Sequence, residues 1–272
     1  MDSSEPNFFS KNEFLIRRLH SLSGLLPVGG FMLVHLTTNA SVLNGAEAFQ
    51  NLVYQIHSLG KILWIVEWAF IFLPLMFHAI FGVYIIMGGK SNTSKYSYVA
   101  NWRYRMQRIS GVIALFFILF HVLHMHGWFH VGFWKSAMQQ IGMAQFAPYN
   151  AASTAGIAMQ STILMPILYF VGIAACVYHL ANGLWTMGIT WGVWTTPPAQ
   201  RRASFACLGL GVLVMMIGTS SLVGFYTLDT EKAQEREIEM YRESVSVGRI
   251  LENDEKLSKP ALKKIERERR QK

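Results

Sequence analysis

The sequence predicts an all-α membrane protein, a bundle of five transmembrane helices. Apolar residues make up 52% of its 272 positions and gather into five long runs: Leu22–Val42, Ile62–Met87, Ile109–Phe129, Ile163–Trp194 and Ala203–Tyr226. Each run is near the ~20 residues that a helix needs to cross hydrocarbon. Charged residues are only 15% of the chain and lie almost wholly outside the runs. Their sign alternates in density from one connection to the next, as the positive-inside rule requires of a multi-pass protein.

The N-terminal segment, residues 1–21, is polar and lacks a positive region followed by a cleavage site, so the first run is expected to remain in the mature chain. Lys11, Arg17 and Arg18 precede that run. Lys90, Lys95, Arg103, Arg105 and Arg108 lie between runs two and three, and Arg201 and Arg202 between four and five. The other side has only Lys61 and Lys135, and ten basic residues against two place the N-terminus in the cytoplasm. The transmembrane domain then covers residues 22–227, and an odd number of crossings leaves the tail, 228–272, outside. From Asp229 on, the tail holds 12 Lys/Arg and 11 Asp/Glu and reads as a solvated, mixed-charge segment. The net charge of +8 thus reports topology, and no nucleic-acid partner is expected.

Four histidines fall deep within the runs: His35 in the first, His78 in the second, His121 in the third and His179 in the fourth. An ionisable side chain at such depth must face the bundle interior and find a partner. A helix rises ~1.5 Å per residue. His35 and His121 are each 13 residues into outward-running helices counted from Leu22 and Arg108, hence level at ~20 Å from the inner face. His78 and His179 are 14 and 16 residues into inward-running helices, counted from Trp64 and Ile163, which leaves both ~6–9 Å from that face. Two pairs at two depths match bis-histidine ligation of two stacked b-type haems. The absence of C-x-x-C-H excludes covalent c-type attachment. Cys176 and Cys207, on different runs, read as small buried hydrophobes.

Local patterns repeat. His78 opens HAIFGVY and His179 opens HLANGLW, so Gly82 and Gly183 share the helical face of the histidine four residues earlier and would let a flat macrocycle approach. His35 and His121 follow matching lead-ins, RLHSLSG (Arg18–Gly24) and RMQRISG (Arg105–Gly111). Spacing alone does not separate His121 from His124 as the third ligand. His126 and His130 come at the helix end beside Gly127, Trp128 and Phe129, where imidazole and indole suit the interface. No Cys or carboxylate accompanies them to make a zinc site.

The motifs RRLHSLSG, GAEAF, FLPLMFHAIFGVY, YSYVANWRYRMQRISG, YHLANGLW and ITWGV resemble the cytochrome b558 membrane-anchor subunits of bacterial succinate dehydrogenases and fumarate reductases, over roughly residues 12 to 226. The resemblance implies a five-helix protein of the cytoplasmic membrane with two haems b. His35 and His121 would bind the distal haem, His78 and His179 the proximal one. It also implies a flavoprotein partner for the dicarboxylate, an iron–sulfur partner, and a quinone, commonly menaquinone, as electron acceptor. This chain has neither a dinucleotide fingerprint nor a cysteine cluster, so flavin and iron–sulfur chemistry would come from those partners.

Quinone reduction needs protons. Glu67 is 11 residues before His78, which returns it to nearly the same face of a continuous helix; its other reading is a helix-start carboxylate favoured by the helix dipole. Glu47, in GAEAF, is the second candidate, on an outer loop. Some relatives carry an acid two positions before the fourth ligand; here that position is Val177, which speaks against that proton route. Arg17, His20, Ser21, Arg103, Arg105 and Arg108 are candidates to receive the propionates of the inner haem. Trp64, Trp68, Trp102, Trp128, Trp191 and Trp194 read as an interfacial belt, and Pro27, Pro74 and Pro166 as helix kinks. Two other classes stay open: a cytochrome b subunit of a formate dehydrogenase or hydrogenase, and a transporter with intramembrane histidines.

Overall fold

The structure is a computed structural model and describes residues 11–89, 93–129 and 131–271, so Lys90 and His130 lie outside the described residues. Among the described residues all regular structure is helical, and five helices are long and apolar enough to cross a membrane: Glu13–Asn44, Ile62–Gly88, Val99–His126, Leu164–Thr190 and Pro197–Thr227.

The first span runs through α1 (Glu13–Ser23), a π-helical turn (Gly24–Gly29), α2 (Gly30–Ala40) and a short 3-10 turn (Ser41–Asn44). Pro27 lies inside the wide turn, where a residue without an N–H does least harm to the ladder. A further helix, α3 (Ala46–His57), leads to the second span, made of α4 (Ile62–Val66), a π-turn (Glu67–Phe72) and α5 (Leu73–Gly88), with Pro74 in the first turn of α5. The third span, α6 (Val99–His121), begins well before the apolar run. Arg103, Arg105 and Arg108 are therefore helical rather than part of a connection. It loosens into a third π-turn, Val122–His126, stopped by Gly127 at φ +77°.

Beyond lie α7 (Gly132–Gln140), α8 (Ala151–Gln160), α9 (Leu164–Thr190) and α10 (Pro197–Tyr226), then α11 (Thr230–Ser246) and α12 (Lys259–Arg270). Pro166 falls in the first turn of α9, where its missing N–H has no intrahelical partner to lose. Apolar side chains such as Leu164, Ile167, Leu168 and Val171 stay 42–69% exposed on α9, the outward face of a helix made for lipid.

The chain divides into two compact units. One comprises Met1–Val34, Trp64–Leu115 and Ala175–Leu213; the other His35–Leu63, Phe116–Ala174 and Val214–Lys272. In the first, the interior is crossed by polar side chains around Arg103 and Asn182. The second has two apolar cores. One gathers Val42, Phe49, Val53, Tyr169, Leu222 and Phe225 about the alanines 151, 152, 155 and 158 of α8. Small side chains let α8 sit deep: a Cβ on Gly156 would stand 2.8 Å from Thr230 Cγ2.

The other core corrects the expectation of a solvated tail. Ile238, Met240, Tyr241, Ile250, Leu257, Ala261 and Ile265 are buried with Tyr54 and Tyr149. Helical spacing among many charges hides this stripe in a composition-level reading. The charges close over the outside as ion pairs, Lys264 with Glu235 at 3.2 Å, Arg242 with Glu268 and Arg269 with Glu252. Asp229 and Ser258 cap α11 and α12.

Glu237 of α11 is fully buried and accepts from Ala152 N at 2.6 Å, from Ser153 N at 3.3 Å and from Ser153 Oγ at 2.5 Å. Gln50 accepts from Ala151 N at 2.8 Å. Together they satisfy the first free amides of α8, whose positive end favours a carboxylate. Burial nevertheless pushes the Glu237 carboxyl up from 4.5 to about 7.

Candidate functional site: two pairs of facing histidines

In the first unit His78 and His179 face one another with ring centroids 6.0 Å apart and planes 85° apart. His78 Nδ1 lies 2.9 Å from the carbonyl oxygen of His20, and His179 Nδ1 lies 3.1 Å from that of Gln107. A carbonyl only accepts, so His78 Nδ1 donates and its Nε2 keeps the lone pair; His179 Nδ1 has the Gln107 carbonyl nearest, with Gln107 Nε2 at 3.3 Å and Ser110 Oγ at 3.4 Å beside it.

The glycines explain how the rings reach those carbonyls. A Cβ on Gly24 would stand 2.2 Å from His78 Cε1, and one on Gly111 would stand 2.8 Å from His179 Cε1. The accepting residue comes four positions before the glycine in each case, His20 before Gly24 and Gln107 before Gly111. The shared lead-ins therefore serve this pair, rather than the histidines that follow them in the chain. A Cβ on Gly82 would stand 3.2 Å from His20 Cε1, and one on Gly183 would stand 3.1 Å from Gln107 Nε2. The helices carrying His20 and His78 and those carrying Gln107 and His179 thus repeat one arrangement.

In the second unit His35 and His121 face one another at 5.7 Å, with planes 71° apart. Asn39 Nδ2 lies 3.2 Å from His35 Nε2; an amide nitrogen donates, so that Nε2 also bears the lone pair. Tyr169 Oη lies 3.3 Å from His121 Nδ1 and 2.8 Å from His124 Nδ1. The ambiguity between His121 and His124 is resolved geometrically. His121 presents its ring to His35, and His124, only 3% exposed, turns to Tyr169 and stacks on Phe120.

Each pair suits one metal ion between two imidazoles. Metal–nitrogen bonds of ~2.0 Å and a ring radius of ~1.1 Å put two such centroids about 6 Å apart. Among the described residues no group of three His, Cys, Asp or Glu could hold a metal ion. Two protein ligands per centre leave four positions to be filled by a macrocycle, which is the donor set of a bis-histidine haem and not of zinc.

No family model matches the chain. The succinate dehydrogenase cytochrome b558 subunit of Bacillus subtilis (strain 168) is 36% identical to it over 213 residues, taking in 78% of this chain and 97% of that relative. The chain belongs to the succinate dehydrogenase cytochrome b558 subunit family.

For a cytochrome b558-family chain the remaining candidates sort by their partners. Arg17 pairs with Glu13 at 2.6 Å on the surface, and Ser21 accepts from Trp191 Nε1 at 3.1 Å. His20 is stacked on His78 at 4.0 Å. Arg103 donates to Asn182 Oδ1 at 2.8 Å and to Ser204 Oγ at 2.9 Å, 3.6 Å above the Trp185 ring. Arg105 reaches Thr93 Oγ1 at 3.3 Å, and Arg108 donates to Tyr104 Oη and to the carbonyl of Ile86. Arg18 Nη1 and His20 Nδ1 are buried without a hydrogen-bond partner, and the Arg18 group lies over Phe14 and Trp191.

Two assignments change. Glu67 opens the π-turn Glu67–Phe72, so the continuous helix on which its face was counted is interrupted between it and His78. Glu47 is a helical residue in the first turn of α3, not a loop residue, and pairs with Arg236 at 3.1 Å. Tyr169, Gln107 and Asn182 were not singled out in the sequence, and Arg18 was read there as a mark of orientation and not as a site residue. Only the equal spacing of His20–Gly24 and Gln107–Gly111 signalled the carbonyl seats.

Proposed function

We propose that this chain is the membrane-anchor cytochrome b subunit of a bacterial succinate:quinone oxidoreductase, with His78 and His179 the axial ligands of one haem b and His35 and His121 those of a second. The observation that carries the reading is the two facing imidazole pairs at about the separation one metal ion requires. When bound, the haems would supply a one-electron relay between an iron–sulfur partner and a quinone, menaquinone by family resemblance, with dicarboxylate chemistry on a flavoprotein partner.

The chain's own residues hold and orient. The backbone carbonyls of His20 and Gln107 fix two ligand rings by their Nδ1 protons, which raises the basicity of the opposite nitrogen. Arg18 is the proposed receptor for a propionate, since its Nη1 donor is unspent. Arg103, already bound to Asn182 and Ser204, serves to lock the helix ends. Glu67 and Glu47 are not carried forward as proton donors. The N-terminus and the arginine-rich connections face the cytoplasm.

Pyridine haemochrome quantitation on the purified complex tests this directly. Two haems b per chain are expected, falling to one in His35→Ala and His121→Ala with one spectral phenotype, and to one in His78→Ala and His179→Ala with the other. A colourless chain, or substitutions that leave the haem content unchanged, would refute it. Copurification with a molybdenum or nickel subunit instead of a flavoprotein would reassign the partner.

A further inference from the structure

Tyr169 of α9 has its hydroxyl between two imidazoles, 2.8 Å from His124 Nδ1 and 3.3 Å from His121 Nδ1. Tyr169 is 6% exposed and His124 3%. Phe117 meets the Tyr169 ring edge-on at 5.3 Å, and Phe120 stacks on His124 at 5.1 Å, so aromatic rings wall the contact in. Gly172 makes room for that wall, since a Cβ there would lie 2.1 Å from Phe117 Cδ2. The π-turn Val122–His126 begins directly after His121, within the segment that sets both Nδ1 atoms against the same oxygen.

We infer that Tyr169 and His124 are positioning residues for His121, fixing its tautomer and lowering the reduction potential of the haem it would share with His35; the inference rests on the axial role proposed above. Iron takes the Nε2 lone pair, so His121 must carry its proton on Nδ1 and donate it to the phenol oxygen. Tyr169 has one proton to give, and it goes to His124 Nδ1. The reverse polarity would put the His121 proton on Nε2, where iron must bind. A ligand whose Nδ1–H is well accepted is a better electron donor and favours ferric iron. His124 strengthens that acceptor through the phenol, because hydrogen bonds in a chain polarise one another. In the His78–His179 pair each Nδ1 instead faces a backbone carbonyl, with Gln107 Nε2 and Ser110 Oγ also 3.3 and 3.4 Å from His179 Nδ1.

The test uses the intact complex with Tyr169→Phe, His124→Leu and the double variant, reading haem content, potentiometric titration and the low-spin electron paramagnetic resonance signals. Tyr169→Phe should keep both haems, raise the midpoint of the His35–His121 haem, move its signal and leave the other haem unchanged. His124→Leu should shift the same midpoint upward by less. The double variant should match Tyr169→Phe alone, since His124 acts only through the phenol. Two retained haems with unmoved midpoints, or fully additive shifts, would overturn the inference and leave the axial assignment standing. Should Tyr169→Phe shed that haem, His124→Leu decides, an upward shift supporting the inference and an unmoved midpoint ending it. A wild-type complex with fewer than two haems would instead sink the axial assignment itself.

Discussion

The imidazole of His78 lies against Gly24 so closely that a Cβ there would stand 2.2 Å from its Cε1. The equivalent approach of His179 to Gly111 is 2.8 Å, tight but nearer to what a small adjustment relieves. Gly24→Ala should therefore expel the His78 ring from its carbonyl seat and cost the haem of that pair. Gly111→Ala should keep the haem with an altered spectrum. Haemochrome counts, with the His35–His121 signal as internal reference, check both; two unaltered haems in Gly24→Ala would show the glycine to be dispensable.

Glu237 makes the docking of the C-terminal helices depend on pH. Burial raises its carboxyl from 4.5 to about 7 against three hydrogen-bond donors that pull it down. Tyr54, whose own hydroxyl is pushed up by burial and by the Glu237 charge, faces the same carboxyl. The folded state then binds the proton more tightly than the unfolded one. Its stabilising effect is complete below about 4.5 and is lost as pH rises through about 7, a change of roughly 3 kcal/mol. Hydrogen exchange of Thr230–Arg270, corrected for intrinsic rates, should show protection falling between pH 5 and 8 (about 5 to 8 spans the window) and level protection in Glu237→Gln. Constant wild-type protection would contradict it.

Arg103 has its donors committed to Asn182 and Ser204 and its plane on Trp185. Lysine keeps the charge but not the fork. Arg103→Lys should lower thermal stability by about 1–3 kcal/mol while leaving both haem midpoints in place. A shifted midpoint with unchanged stability would mean that the guanidinium binds a propionate instead.

Topology is open to labelling. An impermeant maleimide should modify Ser246→Cys in intact cells and reach Lys95→Cys only after permeabilisation. The reverse pattern would invert the orientation inferred from the arginines and lysines.

The spans were legible because hydrocarbon imposes length and apolarity together, a constraint that few soluble helices meet. The pairing of His35 with His121 and of His78 with His179 was legible as depth, since rise per residue converts sequence position into height. What stayed hidden were contacts that depend on rotation rather than height. The π-turn at Glu67–Phe72 interrupts a helix whose face had been counted at a constant angle. Tyr169 has the composition of any aromatic residue in an apolar run, and its hydroxyl acquires meaning only from the two rings beside it. In the tail, Ile238, Tyr241 and Ile265 were outnumbered by charges, so composition masked a core that periodicity would have shown.

The repeated arrangement around His78 and His179 has an architectural consequence. A single helical hairpin already contains one imidazole, the carbonyl that orients it and the glycine that gives it clearance. Two such hairpins make up the whole centre, so each pair of consecutive spans encodes one half of it.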